Sequence, residues 1–437
     1  MPNCTSKQIE FEPFGRRRVE AKFDGGDVST EGGVLLVRKL ERRLGLIDAV
    51  ARALIDPRDP ERIKHELVDL LRQRVFGLVQ GYEDLNDHAT LRNDVLMQTA
   101  CERDTALASA PTLCRLENRA TRAAAWAIHE VIMAKFIASF KNAPEELVLD
   151  FDATDDPLYG KQEGRFFHGY YDSYCYLPLY VFCGEQLLVS YLRPSKIDEA
   201  KHAWAVLALL VKRLRRAWPE VRIILRGDSG FCRRKMLTWC ECHEVGYCVG
   251  LAKNKRLNKM TKEHRERLAR QFEHTQVKQR EFAELRYGAK TWKTERRVIA
   301  RLEHMEKGDN PRYIVTNLEG DARSVYEEVY GARGEMENRI KEAQLGLFAD
   351  RTSCQYFAAN QFRLLLSSLA YILTERLRTL ALAGTEFARL QATTLRAKLL
   401  KIGAVILRNT RRVRVMLSAA FPYQAIYLAA ARALDSP

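Results

Sequence analysis

Apolar positions recur three and four residues apart through the first third of the chain. VSTEGGVLLVRKLERRLGLIDAVARALID opens on a Ser/Thr cap region and keeps this spacing until Pro57 and Pro60, which predicts helix. RIKHELVDLLRQRVFGLVQG predicts a second amphipathic helix, stopped by Gly81. GYEDLNDHATLRND is polar and turn-rich. ASAPTLCRLENRATRAAAWAIHEVIMAKFIASF returns to helical texture.

The texture changes at Leu147. ELVLDFDAT, YCYLPLYVFC, EQLLVSYLR, VRIILRGD, GYCVGLA and PRYIVTNL are short apolar runs that predict strands. EAKHAWAVLALLVKRLRRAW and CRRKMLTWCECHEV predict helices between them. This alternation predicts an α/β fold with a mixed sheet, since the second and third runs form a hairpin turning at Gly184-Glu185. Residues 253–312 interrupt the alternation with a charged helix and a strand-turn-strand piece, predicting a β-rich insertion. After Ala343 the chain reads as helix again, including RAKLLKIGAVILRNTRRVRVMLSAAFP. Three regions follow: a helical one over 1–145, an α/β one over 146–345 and a basic helical one over 346–437.

Charge sharpens this picture. The 437 residues carry a net charge of +15. Residues 251–312 hold 18 Lys+Arg against 9 Asp+Glu, and residues 350–437 hold 13 against 4. The excess is local, which favours a polyanion-binding surface over general solubilisation. No apolar run approaches membrane-spanning length, and the start MPNCTSKQIEFEPFGRRR lacks the apolar centre of an export signal. Ten cysteines without a regular framework fit reduced thiols in the cytoplasm.

Three carboxylates carry the candidate chemistry. Asp152 closes VLDFDATDDP, Asp228 closes IILRGDSGF, and Glu337 lies on the polar helical stretch YGARGEMENRIKE. Asp150 and Asp152 are two apart on one strand face, so parity leaves Asp150 as the alternative first acid. Asp152 is nearer the carboxyl end, where ligands of α/β sheets bind, and small residues follow it. At 3.6 residues per turn, Tyr330, Arg333, Glu337, Lys341 and Gln344 share one helix face, with Glu335 nearly opposite. Acids from distant segments gathered by a fold suit a two-metal phosphoryl-transfer site, because hard divalent cations take oxygen ligands. Arg333 and Lys341 suit phosphates.

These motifs resemble the DDE transposases of bacterial insertion sequences, nearest to insertion-sequence family 1380. The likeness rests on D-A-T after a strand, then RGDSGF, then Y-x-x-R-x-x-x-E-N-x-I-K-E. DGGDVSTEGGVLLVRKLERRLGL, GYEDLNDHATLRND, PTLCRLENR and AANQFRLLLSSLAYIL extend it over nearly the whole chain. The resemblance implies an RNase H-like core with Asp152, Asp228 and Glu337 as catalytic, metal-binding triad, served by two Mg²⁺ ions or by Mn²⁺. It implies cut-and-paste transposition: binding of double-stranded DNA at terminal inverted repeats and at the target, cleavage, and strand transfer. A homodimer in the DNA complex, no membrane, and a place at the bacterial nucleoid go with it. Tyr330 and Arg333 match a Tyr-Arg-Glu-Lys signature, whose Lys falls at Gln344, with Lys341 one turn earlier as the substitute. Relatives with a β-rich insertion stack an aromatic on a flipped base, for which Trp292 in YGAKTWKTERR is the candidate. Arg296 and Arg297 beside it, and Arg411, Arg412 and Arg414 near the C-terminus, are further DNA-binding candidates.

Competing readings are an RNase H-like nuclease without strand transfer and an inactive DNA-binding regulator. Cys232, Cys240, Cys242, His243 and Cys248 crowd one region but lack zinc-ligand spacing. The absence of a glycine-rich P-loop argues against nucleotide hydrolysis.

Overall fold

A computed structural model describes residues 8–435. The chain divides into two compact units, residues 117–372 and residues 1–116 with 373–437. The N- and C-terminal regions expected to be separate thus contribute to one unit.

The 117–372 unit is built on one nine-stranded mixed sheet. Its main strands are β1 (Glu146–Ala153), β2 (Leu179–Cys183), β3 (Gln186–Tyr191), β4 (Arg222–Gly227), β5 (Gly246–Leu251), β6 (Gln279–Tyr287), β7 (Arg296–Met305) and β8 (Arg312–Thr316). Their spatial order is β6-β7-β8-β5-β4-β1-β2-β3. Parallel pairing joins β1 to β4 and β4 to β5, and the remaining neighbours on this path are antiparallel. The β2–β3 hairpin turns at Gly184-Glu185 as expected, with Gly184 at φ 57°. The strands of the 253–312 segment lie within this same sheet and lengthen it beyond β5.

The central strands are continuous apolar runs because both faces are covered. One face packs Phe151, Ile223, Leu225 and Val249 against Met133 and Phe136 of helix Arg122–Ala138, Leu207 and Leu214 of helix Ala203–Ala217, and Met236 of helix Arg234–Cys242. The other packs Ile224, Cys248, Ile299 and Ile314 against Val325 and Tyr326, which lead into the helical segment bearing Glu337. The alternation of Ile223, Ile224 and Leu225 along β4 therefore divides this strand's apolar side chains between two cores.

In the other unit, the first expected helix is two, Val34–Leu44 and Leu46–Ala53, hinged at Gly45 in the left-handed region. Leu67–Gln80 ends at Gly81 with φ 95°. The sequence AVILRNTRRVRVML, expected to be helical, instead forms an antiparallel hairpin of strands Ala404–Asn409 and Arg412–Leu417, joined by strand Asp27–Ser29. Alternating β-branched and polar residues explain the difference: period two outweighs the surrounding helical texture. The chain ends meet closely here. Gly32 and Gly33 donate to the Ile402 and Leu400 carbonyls, and a Cβ on Gly33 would lie 2.2 Å from Leu400 Cα.

Candidate active site

The parallel register sets the first two acids side by side. Arg226 pairs with Asp150 and Gly227 with Phe151, so Asp228 follows level with Asp152 at the carboxyl ends of adjacent strands. Asp228 caps a short 3₁₀ turn, its Oδ1 accepting from Gly230 N at 2.9 Å. Two glycines near it stand in close quarters. A Cβ on Gly230 would lie 2.5 Å from Glu199 Oε2 and 3.0 Å from Asp228 Oδ1. A Cβ on Gly250 would lie 2.8 Å from both Ser229 N and the Tyr330 hydroxyl.

Glu337 arrives from the other direction. Its α-turns, Gly334–Lys341, are flanked by π-helical segments Val325–Tyr330 and Glu342–Gly346 and a 3₁₀ turn Gly331–Arg333. π-turns of this kind occur frequently at functional sites. Arg333 joins the elements: Nη1 donates to Asp152 Oδ2 at 3.2 Å and Nη2 to Glu337 Oε1 at 2.9 Å. The Arg333 charge also acts on the neighbouring Tyr330 hydroxyl. Burial pushes the Asp152 carboxyl up to about 7, against the pull of Arg333, and the neighbouring charges of Asp228 and Glu337 push it the same way. The site has more negative charge than one guanidinium balances.

Asp150 stands apart from this group. It is fully buried, and Arg226 binds both its oxygens while donating also to the Val329 carbonyl. Its charge is matched inside the protein by Arg226. Glu335 faces away and pairs with Arg339 at 2.9 Å. Lys341 is exposed with no ion pair among the described residues. Gln344 lies in the second π-turn and donates to Asp156 Oδ1 and the Asp155 carbonyl rather than standing free on a common face. The π-turns break the regular 3.6-residue spacing which that face assumed.

Three expected DNA contacts are occupied internally. Trp292 packs against the core, edge-on to Tyr287, with the Arg296 guanidinium 4.8 Å from its ring. Arg296 is 5% exposed and pairs with Glu241 at 2.6 Å. Arg297 pairs with Glu284 and donates to the Leu318 and Gly320 carbonyls. The clustering of aromatic and basic residues in YGAKTWKTERR thus reflects an internal cation–π and ion-pair arrangement. Arg411, Arg412 and Arg414, by contrast, are exposed on the C-terminal hairpin.

The family described as transposase DDE domain group 1 matches residues 11–436. The chain belongs to that family. Among curated proteins none matches this transposase. A solved structure, the cryo-EM structure of a piggyBac transposase synaptic complex with hairpin DNA, is similar at 10% identity over 84% of this chain and 79% of that one, with a TM-score of 0.42. So loose a likeness carries no argument about this site.

DDE transposases generally use divalent metal ions. The residues of this transposase fit one in chemical kind only: carboxylates stand at two neighbouring strand ends and on a helix, and Arg333 bridges Asp152 and Glu337. Among the described residues no three His, Cys, Asp or Glu side chains stand close enough to hold an ion. The cationic group between Asp152 and Glu337 is Arg333. Among the same residues, no helix is long and apolar enough to cross a membrane.

Sequence reasoning missed Arg226, Gly250 and the Asp156–Gln344 bond. A signal existed for the first: an arginine in the middle of an apolar strand requires a buried counter-charge, and Asp150 on the adjacent run supplies it. Gly250 and Asp156 carry their roles only through contacts distant in sequence.

Proposed function

We propose that this transposase binds the inverted-repeat ends of its element and carries out metal-dependent DNA cleavage and strand transfer with Asp152, Asp228 and Glu337. The observation that carries this reading is the convergence of Asp152 and Glu337 on one guanidinium, with Asp228 level with Asp152 on the next strand. Those three carboxylates would hold two Mg²⁺ ions, or Mn²⁺, which supply charge to the attacking and leaving oxygens of an in-line displacement. Arg333 and Lys341 bind the phosphates flanking the scissile bond, and Tyr330 orients Arg333. The first displacement uses water and frees a 3′-hydroxyl; the second uses that hydroxyl on another phosphodiester. Arg411, Arg412 and Arg414 hold duplex DNA by its backbone. Two copies of the chain treat the two ends, at the bacterial nucleoid.

The deciding experiment incubates the purified protein with Mg²⁺ and the DNA bordering its reading frame. Cuts confined to the element ends, followed by joining to a second duplex, are the expected result. Cutting without end preference would leave a nuclease; end binding without cutting would leave a regulator.

A further inference from the structure

Gln344 stands where the family signature places a lysine, yet its amide points into the protein. Nε2 donates to Asp156 Oδ1 at 2.9 Å and to the Asp155 carbonyl at 3.1 Å. Asp156 is fully buried, and its Oδ2 has no hydrogen-bond partner among the described residues. Gln344 is thus the side chain that satisfies this carboxyl. The two ends of the bond belong to the two segments that carry Asp152 and Glu337. Asp156 lies four residues beyond Asp152, in the short strand that follows β1, and Gln344 lies seven beyond Glu337, in the π-turn that ends the helix.

A buried hydrogen bond between segments fixes their spacing, because breaking it leaves desolvated groups unpaired. A second side-chain tie between these segments is Arg333, whose guanidinium touches the acids themselves. We propose that Gln344 is a positioning residue: by gripping Asp156 and Asp155, it sets the distance between the strand end bearing Asp152 and the helix bearing Glu337. This rests on the reading that those two acids are catalytic. It differs from a phosphate-contact role, because an amide committed to Asp156 is not presented to DNA.

The test compares wild type with Gln344→Met, which keeps the length but loses the donor, and Gln344→Lys, which keeps a donor. Three quantities are measured: single-turnover cleavage of element ends, affinity for the same DNA, and Mn²⁺ affinity without DNA by the free-ion spin-resonance signal. Gln344→Met is expected to cut and to bind Mn²⁺ about 10-fold or more weakly, as loss of an outer-shell partner does, with DNA affinity unchanged. Gln344→Lys is expected to recover most of both losses. Gln344→Met at wild-type rate and Mn²⁺ affinity overturns the proposal, as does a loss confined to DNA affinity, or a Gln344→Lys as impaired as Gln344→Met. A wild-type chain that neither cuts nor binds Mn²⁺ overturns the catalytic reading and this inference with it; failure of the Gln344 variants alone to differ overturns only this one.

Discussion

Asp152 is a largely buried carboxylate among like charges, and its protonation is linked to stability. Its folded pKa near 7 lies above the ordinary carboxylate value, so the folded state binds the proton more tightly than the unfolded chain. The stability this contributes is present at low pH and is lost as pH rises from about 4 towards 7. In metal-free buffer, Asp152→Asn is therefore expected to flatten the fall of Tm across that window relative to wild type; parallel curves would remove Asp152 as the cause. Arg333 supplies the opposing charge. Arg333→Ala should lower Tm without metal and enlarge the rise in Tm that Mg²⁺ produces, because the ion then replaces a missing cation. An equal Mg²⁺ response in both proteins would argue against a shared position. Asp228→Asn should reduce cleavage by more than the ~10–100-fold typical of an outer-shell loss while DNA binding persists, as a gel shift would reveal. The three acids proposed as catalytic stand out in the sequence by their local settings: two strand ends and a charged helix. Strand parity does not separate Asp150 from Asp152; the cross-strand partner Arg226 gives Asp150 a surrounding that Asp152 does not share.

At the scale of elements, strand periodicity was the most informative signal and helical texture the least discriminating. The six apolar runs from Leu147 to Asn317 all supply strands to one sheet, since burial on both faces leaves an unambiguous pattern. The C-terminal hairpin was misread because its polar alternation lies amid helix-forming neighbours. That correction changes how its arginines act. Arg412 and Arg414 lie two apart, so both side chains leave the same face of one exposed strand, with Arg411 in the turn. Replacing all three by Ala should make the slope of log K against log salt shallower by about 0.9 for each phosphate no longer neutralised. An unchanged slope would take the hairpin out of the DNA interface. Close packing between elements also sets a limit. Gly250→Ala would press a methyl against Ser229 N and the Tyr330 hydroxyl, each 2.8 Å away. A loss of about 1–3 kcal/mol in denaturant unfolding is expected, together with slower cleavage from the displaced Asp228 turn.

At the scale of the whole molecule, a linear division into three regions misses that the first and last segments build one unit. Nothing local signals this; the meeting of Gly33 with Leu400 is a contact across the length of the chain. Ending the chain at Leu382 should remove hydrogen-exchange protection from helices Val34–Leu44 and Leu67–Gln80 while leaving strands Glu146–Ala153 and Arg222–Gly227 protected. Uniform loss across both sets would show that the units do not fold separately. This arrangement also has a consequence on the ribosome. The opening segment emerges first yet lacks its partner until residues beyond 373 are made. At ordinary synthesis rates it waits on the order of tens of seconds with apolar surface uncovered, while the intervening sheet assembles. A nascent chain in that state is a client for chaperones, and a message cut short yields a sheet domain with an unfinished companion.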